Sequence, residues 1–220
     1  MLNHSPPPPV HVEVLLAARC PQPANKKSIR KETCWAISNI NGGTKAQIQA
    51  VFECGLIPPL IETLATGDFD VKKEAAWAIS NATCAAVPEH LRFLASQGAI
   101  KPLCDLLGVQ DSRIISVALE ALDNLLKVGQ ADSTASGTDE NEYATLVEEA
   151  EGLDKLEDLQ SHANDDIYQR AVKILEAYFG EDDEDDDAEN LAPACDSEAY
   201  TFGLQAAAPA FSGFGGGFGN

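Results

Sequence analysis

The chain writes one pentapeptide twice. Residues 31–41 are KETCWAISNIN and residues 73–83 are KEAAWAISNAT, which sets Trp35 and Trp77 42 positions apart. An identity of this length at a fixed period points to a repeat architecture before any other fold. A second echo agrees: GLIPPLIETL at 55–64 returns as GAIKPLCDLL at 98–107. A unit this short cannot bury its apolar face alone, so neighbouring copies must supply each other's core.

Hydrophobic spacing and breakers divide each copy into three helices. Residues 26–41 form a long helix with an apolar face at Ile29, Thr33, Ala36, Ile37 and Ile40, stopped by Asn41-Gly42-Gly43. Residues 45–54 and 56–65 form two shorter ones, with Gly55 between them and Pro58 and Pro59 in the first turn of the second. The cycle then restarts. Residues 69–84 are long, with Asp68 or Asp70 as N-cap; 88–97 and 100–107 are short; Asp111 to Val128 is long again. Aligned on Asn81 and Asn124, this third long helix keeps the Asn and has Glu120 at the Trp position. The stretch after Val128 reads as a flexible loop, assigned to 132–141. Residues 142–150, 153–161 and 164–179 repeat the three-helix pattern as a divergent cap. Three helices per roughly 42 residues is the armadillo or HEAT range. Glycine at the boundaries and a long third helix favour armadillo. The expected fold is thus all-α: an armadillo-repeat right-handed solenoid, of which this chain holds part. The expected organisation is a disordered Pro-rich leader (1–25), about two and a half repeats (26–131), the loop, the capping repeat (142–180) and a disordered acidic and Gly/Phe-rich tail (181–220).

Charge is unevenly spread. Residues 1–131 hold 12 basic and 12 acidic residues, and 132–220 hold 3 and 23, for a net charge of −20 overall. That balance argues against nucleic acid and anionic membranes and favours basic partners. The six cysteines are scattered with no CxxC pair, and read as small buried hydrophobes in a reducing compartment. No apolar run is long enough to span a membrane. His90 and His162 stand isolated, as surface or helix-end residues, with no metal-ligand spacing around them. The acidic run Glu181 to Asp187 lacks the spaced oxygens of a calcium loop. No P-loop, nucleophile elbow or paired base and nucleophile is present, so neither catalytic nor cofactor-binding residues are expected, and the chain reads as a non-enzyme.

The two Trp–Asn pairs are the candidate site. Residues i and i+4 share a helix face. Trp35 therefore sits above Asn39, and Trp77 above Asn81. Stacked repeats set equivalent helices roughly 10 Å apart. A ladder of indoles and a parallel ladder of carboxamides follow. An extended peptide rises about 3.3 Å per residue, so alternate side chains can enter between the indoles while the amides hold its backbone. Indoles take aliphatic stems with cationic heads, at about 0.5–2 kcal/mol per cation–π contact. Glu32 and Glu74, three residues before each Trp, can pair with those heads, and Ser38 and Ser80 can add hydrogen bonds. Packing alone is the plainer account of a helical Trp. Here Trp and Asn leave the apolar stripe together, twice.

On these segments the chain resembles the C-terminal armadillo repeats of importin alpha: KETCWAISNI, KKEAAWAISNAT, ASQGAIKPLCDLL, ALEALDNLLKVG, EEAEGLDKLEDLQSH and IYQRAVKILEAYF. The resemblance covers residues 26–187. It implies a nuclear import adaptor, moving between cytoplasm and nucleus, that binds nuclear localisation signals. It implies a minor signal-binding groove, matched here by Trp35, Asn39, Trp77 and Asn81, with Glu32, Ser38 and Glu74 flanking. It also implies contact between residues 142–187 and the export receptor that recycles the adaptor. Residues 1–25 match neither the family's basic arm nor its earlier repeats. Recruitment of importin beta through that arm is therefore not expected, and N-terminal truncation is. Two rivals follow from the residues. One is a catenin-type armadillo scaffold, which would need a groove lined with more cations than Lys31, Lys72 and Lys73. The other is a truncated gene product with no role of its own.

Overall fold

The computed structural model describes residues 27–84, 87–138 and 140–180, together with the backbone of two short strands. The chain divides into two units, Met1–Gly180 and Glu181–Asn220. Among the described residues of the first, ten helices follow the repeat cycle: α1 (Lys27–Asn41), α2 (Lys45–Glu53), α3 (Ile57–Thr66), α4 (Phe69–Cys84), α5 (Pro88–Ser96), α6 (Ile100–Asp105), α7 (Ser112–Ser136), α8 (Glu142–Glu149), α9 (Gly152–Asp158) and α10 (Asp165–Tyr178). Single 3₁₀ turns extend α6 over Leu106–Gly108 and α9 over Leu159–Ser161.

Local chemistry accounts for the ends. Thr44 and Gln47 form a reciprocal capping box at the start of α2. Asp111, Asn141 and Asn164 accept the orphan amides of α7, α8 and α10 with their side chains. Prolines open α3 and α5, where no intrahelical amide is required. The sharp turn between first and second helix uses a left-handed residue each time: Gly55, Gly98 and, in the last repeat, Glu151. There the glycine has moved one place on. A Cβ at Gly152 would stand 2.7 Å from both Cys104 Sγ and Val147 Cγ1, so close packing claims the glycine and Glu151 bears the positive φ of 57°.

One continuous core runs through all the repeats, from Cys34 and Ile37 on α1 to Ile167 and Ile174 on α10. The long third helices α1, α4, α7 and α10 pack in series. Asparagines staple them. Asn41 Nδ2 donates to the Ala78 carbonyl (2.8 Å), and Asn81 Nδ2 returns the bond to the Ser38 carbonyl (3.0 Å). Asn124 Nδ2 donates to Thr83 Oγ1 at 3.0 Å, and Asn141, the N-cap of α8, ties that helix to α7 through the Leu126 carbonyl at 3.0 Å. Among the described residues no single helix is long and apolar enough to cross a membrane.

Several expectations are corrected. Residues 132–136 belong to α7, which continues to Ser136 and ends at Gly137 with φ 71°. Gly129 lies within this helix and serves as a close contact. It is buried, and a Cβ there would lie 2.1 Å from Asn141 Oδ1. The Ser/Thr-rich end is held by Thr134 Oγ1 on the Gln130 carbonyl (2.8 Å) and by the Arg92–Asp132 ion pair. Ile29 is 44% exposed, because the apolar face of α1 begins at Cys34. His90 is buried rather than at the surface, stacked on Phe52 at 4.1 Å with Nε2 against Gln49 Oε1 at 2.7 Å. Cys34 and Cys104 are buried, and desolvation pushes their thiols up to about 11 and about 12; Cys84 is exposed. The proposed leader (1–25) and most of the proposed tail lie outside the described residues. Within the tail, Ala194–Asp196 and Ala199–Thr201 pair as antiparallel strands, so the all-disordered expectation fails for those six positions.

Candidate peptide-binding face

The four third helices can be compared position by position from their first residues. Eight residues on stand Trp35, Trp77, Glu120 and Lys173. Five residues on stand Glu32, Glu74, Val117 and Arg170; twelve on, Asn39, Asn81, Asn124 and Ala177. Equivalent positions on helices packed in series present one face, and its chemistry changes along the stack.

At the first two helices the indoles are outside the core. Trp35 is 54% and Trp77 41% exposed. The reason is periodic: Cys34, Ile37 and Ile40 turn inward on α1, as do Val71, Ala75, Ala78 and Ile79 on α4, leaving the Trp position on the opposite side. Asn39 and Glu32 are exposed beside Trp35. Glu74 is half-buried and meets Lys31 Nζ at 3.8 Å across the helix pair. Asn81 is also half-buried. One amide hydrogen is committed to the Ser38 carbonyl, and a primary amide retains a second N–H and its oxygen.

Ser38 and Ser80 depart from expectation. They are 6% and 1% exposed, and Ser38 Oγ donates to the Trp35 carbonyl at 2.8 Å. Both lie one residue from Asn, which on a helix is a rotation of about 100°. That rotation carries them into the packing seam, so they do not belong to the exposed set. Asn41 is the residue sequence reasoning missed here. Its place before Gly42-Gly43 marks a helix stop, yet it is 1% exposed and ties α1 to α4.

On α7 the face becomes acidic. Glu120 Oε1 lies 3.5 Å from Cys84 Sγ, and Asn124 stands beside them. Desolvation, then the Glu120 charge, push the Cys84 thiol above its ordinary value, so it rests protonated. Asp123 gathers donors from both sides: Lys127 Nζ at 2.6 Å, Tyr178 hydroxyl at 3.2 Å and Lys173 Nζ at 3.9 Å. The Tyr178 hydrogen bond fastens the last repeat to α7, while Lys173 is largely exposed.

Comparison with known proteins agrees with this geometry. The Armadillo/beta-catenin-like repeat family matches residues 44–84 and 88–127, and the atypical Arm repeat family matches 141–194. Importin subunit alpha-4 of Arabidopsis thaliana is 50% identical over 186 residues, 84% of this chain and 35% of that protein. Importin subunit alpha-1a of Oryza sativa subsp. japonica is 50% identical over the same shares. Importin subunit alpha of Saccharomyces cerevisiae is 48% identical over 116 residues, 53% of this chain and 21% of that protein. The chain thus spans about a third or less of these relatives. Among solved structures, a designed armadillo repeat protein in complex with the peptide (KR)4 superimposes with a TM-score of 0.58 at 34% identity, over 76% of this chain and 62% of that one. With the helix cycle and the Trp–Asn positions in place, these matches show that the chain belongs to the importin-alpha family of armadillo-repeat proteins.

Proposed function

We propose that the face bearing Trp35 and Trp77 holds an extended Lys- and Arg-rich peptide of the nuclear-localisation-signal type, as part of a nuclear import adaptor acting between cytoplasm and nucleus. The observation that carries this reading is the pair of half-exposed indoles on adjacent third helices, each four residues before an asparagine. Long cationic side chains of the peptide pass between the indoles, gaining apolar contact along their stems and cation–π attraction at their heads. Asn39 and Asn81 bond the peptide main chain, which fixes its path without selecting its sequence. Glu32 and Glu74 receive the charged heads, with Glu74 exchanging Lys31 for the peptide. The (KR)4 peptide on the designed neighbour supports the same ligand chemistry, and the relatives' names support the import adaptor. Residues 142–187 are assigned to the export receptor on the family resemblance. Glu148, Glu149, Asp154, Glu157 and Asp158 are exposed there, which suits a basic partner.

Titration of a bipartite signal peptide into the chain and into Trp35→Ala/Trp77→Ala tests the groove. Equal affinities would sink the reading. Affinity should also fall as salt rises, because exposed charge pairs are screened; a salt-insensitive affinity would remove Glu32 and Glu74 from it.

A further inference from the structure

The valley after Glu120 differs from those before it. It is a recess of about 310 Å³ between α7 and α10, lined by Leu119, Glu120, Asp123, Arg170, Lys173 and Ile174. Its α10 wall reverses the chemistry of the Trp rungs. Arg170 stands where α4 has Glu74, Lys173 where it has Trp77, and Ala177 where it has Asn81. The acids of the opposite wall are engaged. Asp123 has Lys127 and Tyr178 on it, and Glu120 meets Cys84 on the side of the preceding valley. The cations are less committed. Arg170 is exposed and makes no ion pair among the described residues, and Lys173 is 68% exposed with one contact of 3.9 Å.

We propose that this recess is the end-stop of the groove: an anion-accepting subsite in which Arg170 and Lys173 receive an acidic side chain of the same bound peptide, beyond its cationic stretch. The inference rests on the peptide reading above. A Lys or Arg carried this far would lose the indole and meet two like charges on the α10 wall, whereas Asp or Glu would meet two donors there. Sign reversal at one end fixes register, because a uniformly basic ligand can slide along a uniform ladder and a ligand with an acidic end cannot. Two rungs separate Trp77 from Lys173. At roughly 10 Å per rung and about 3.3 Å per peptide residue, the acidic residue falls about six positions from the cation held at Trp77.

Fluorescence anisotropy with labelled peptides on the full chain tests this. A Lys/Arg core is extended by a neutral flank bearing either two Asp or two Lys five to seven residues out, on its N-terminal or its C-terminal side. On one side the Asp flank should bind about three- to tenfold tighter than the Lys flank, the range set by two exposed charge pairs. The side that shows it gives the direction of the peptide. Arg170→Glu/Lys173→Glu should invert the order, and Arg170→Gln/Lys173→Gln should erase it, with the unflanked core unchanged in both. Equal binding of Asp and Lys flanks on both sides would overturn the end-stop, as would an order that survives both variants. Failure of the unflanked core to bind the wild-type chain would overturn the groove reading itself.

Discussion

The α1–α4 half of the binding face and the α7–α10 half share a scaffold and differ in surface. Both halves pack long third helices in series, and both bury aliphatic side chains inward. At matched positions the first half shows indoles, carboxamides and carboxylates, and the second shows a carboxylate followed by cations. The difference teaches that packing and recognition use separate positions of the same helix. A rung can change from aromatic to acidic to basic while the seam behind it stays apolar.

Removing the first half's surface should have the largest effect. Trp35→Ala/Trp77→Ala should weaken a basic peptide by about 30-fold or more, since two cation–π contacts and their apolar burial are lost. Glu120→Ala should change the same isothermal titration by less than about twofold. Comparable losses would erase the distinction between the halves.

Glycine substitutions probe the scaffold instead. Gly129→Ala should cost about 1–3 kcal/mol in urea denaturation, because its methyl would enter the Asn141 and Tyr143 contact. Gly42→Ala in the first half meets nothing closer than 3.5 Å and should stay within about 0.5 kcal/mol of wild type. A cheap Gly129→Ala would mean that the α7–α8 junction can relax.

Converting one half into the other sharpens the comparison. Glu120→Trp should tighten a basic peptide long enough to reach α7 by about three- to fivefold, the worth of one exposed cation–π contact. No gain would show that the α7 position does not face the groove as Trp77 does. Glu151→Gly should stabilise the last repeat by up to about 1 kcal/mol in a thermal melt, by relieving the left-handed strain that Gly55 and Gly98 avoid. A lower melting temperature would instead give Glu151 a contact role.

The smallest effect concerns pH. Burial holds His90 below its ordinary value of 6.5, so the unfolded chain binds the proton more strongly. The His90 contribution is present above about pH 6.5 and declines as pH falls through and below that value. His90→Gln should flatten this part of the stability profile measured by chemical denaturation. An unchanged slope would show that His90 is hydrated.

Helix order and the off-stripe placement of Trp35 and Trp77 are legible in the sequence, because they rest on local period and punctuation. Three things were misjudged for one reason. The stretch from Gly129 reads as loop, Ser38 and Ser80 as ligands, and His90 as a surface or helix-end residue, whereas the first is helix, the serines are buried and His90 is a buried helix-end residue. In each case local chemistry was compatible with two environments, and the neighbouring helix chose between them. Asn141 and Tyr143 claim the space at Gly129. Packing between the third helices buries Ser38 and Ser80. Phe52 and Gln49 cover His90. Arg170 and Lys173 were visible as residues but not as rungs, since α10 keeps neither Trp nor Asn to mark the register.

By itself the sequence determined the period of the stack and the identity of the Trp–Asn rungs, because a repeated pentapeptide survives without knowledge of its neighbours. Tertiary structure decided which polar side chains face out and where the ladder changes sign. Both depend on helices more than 40 residues apart, whose packing turns one residue of a pair such as Ser80 and Asn81 into the seam and leaves the other at the groove.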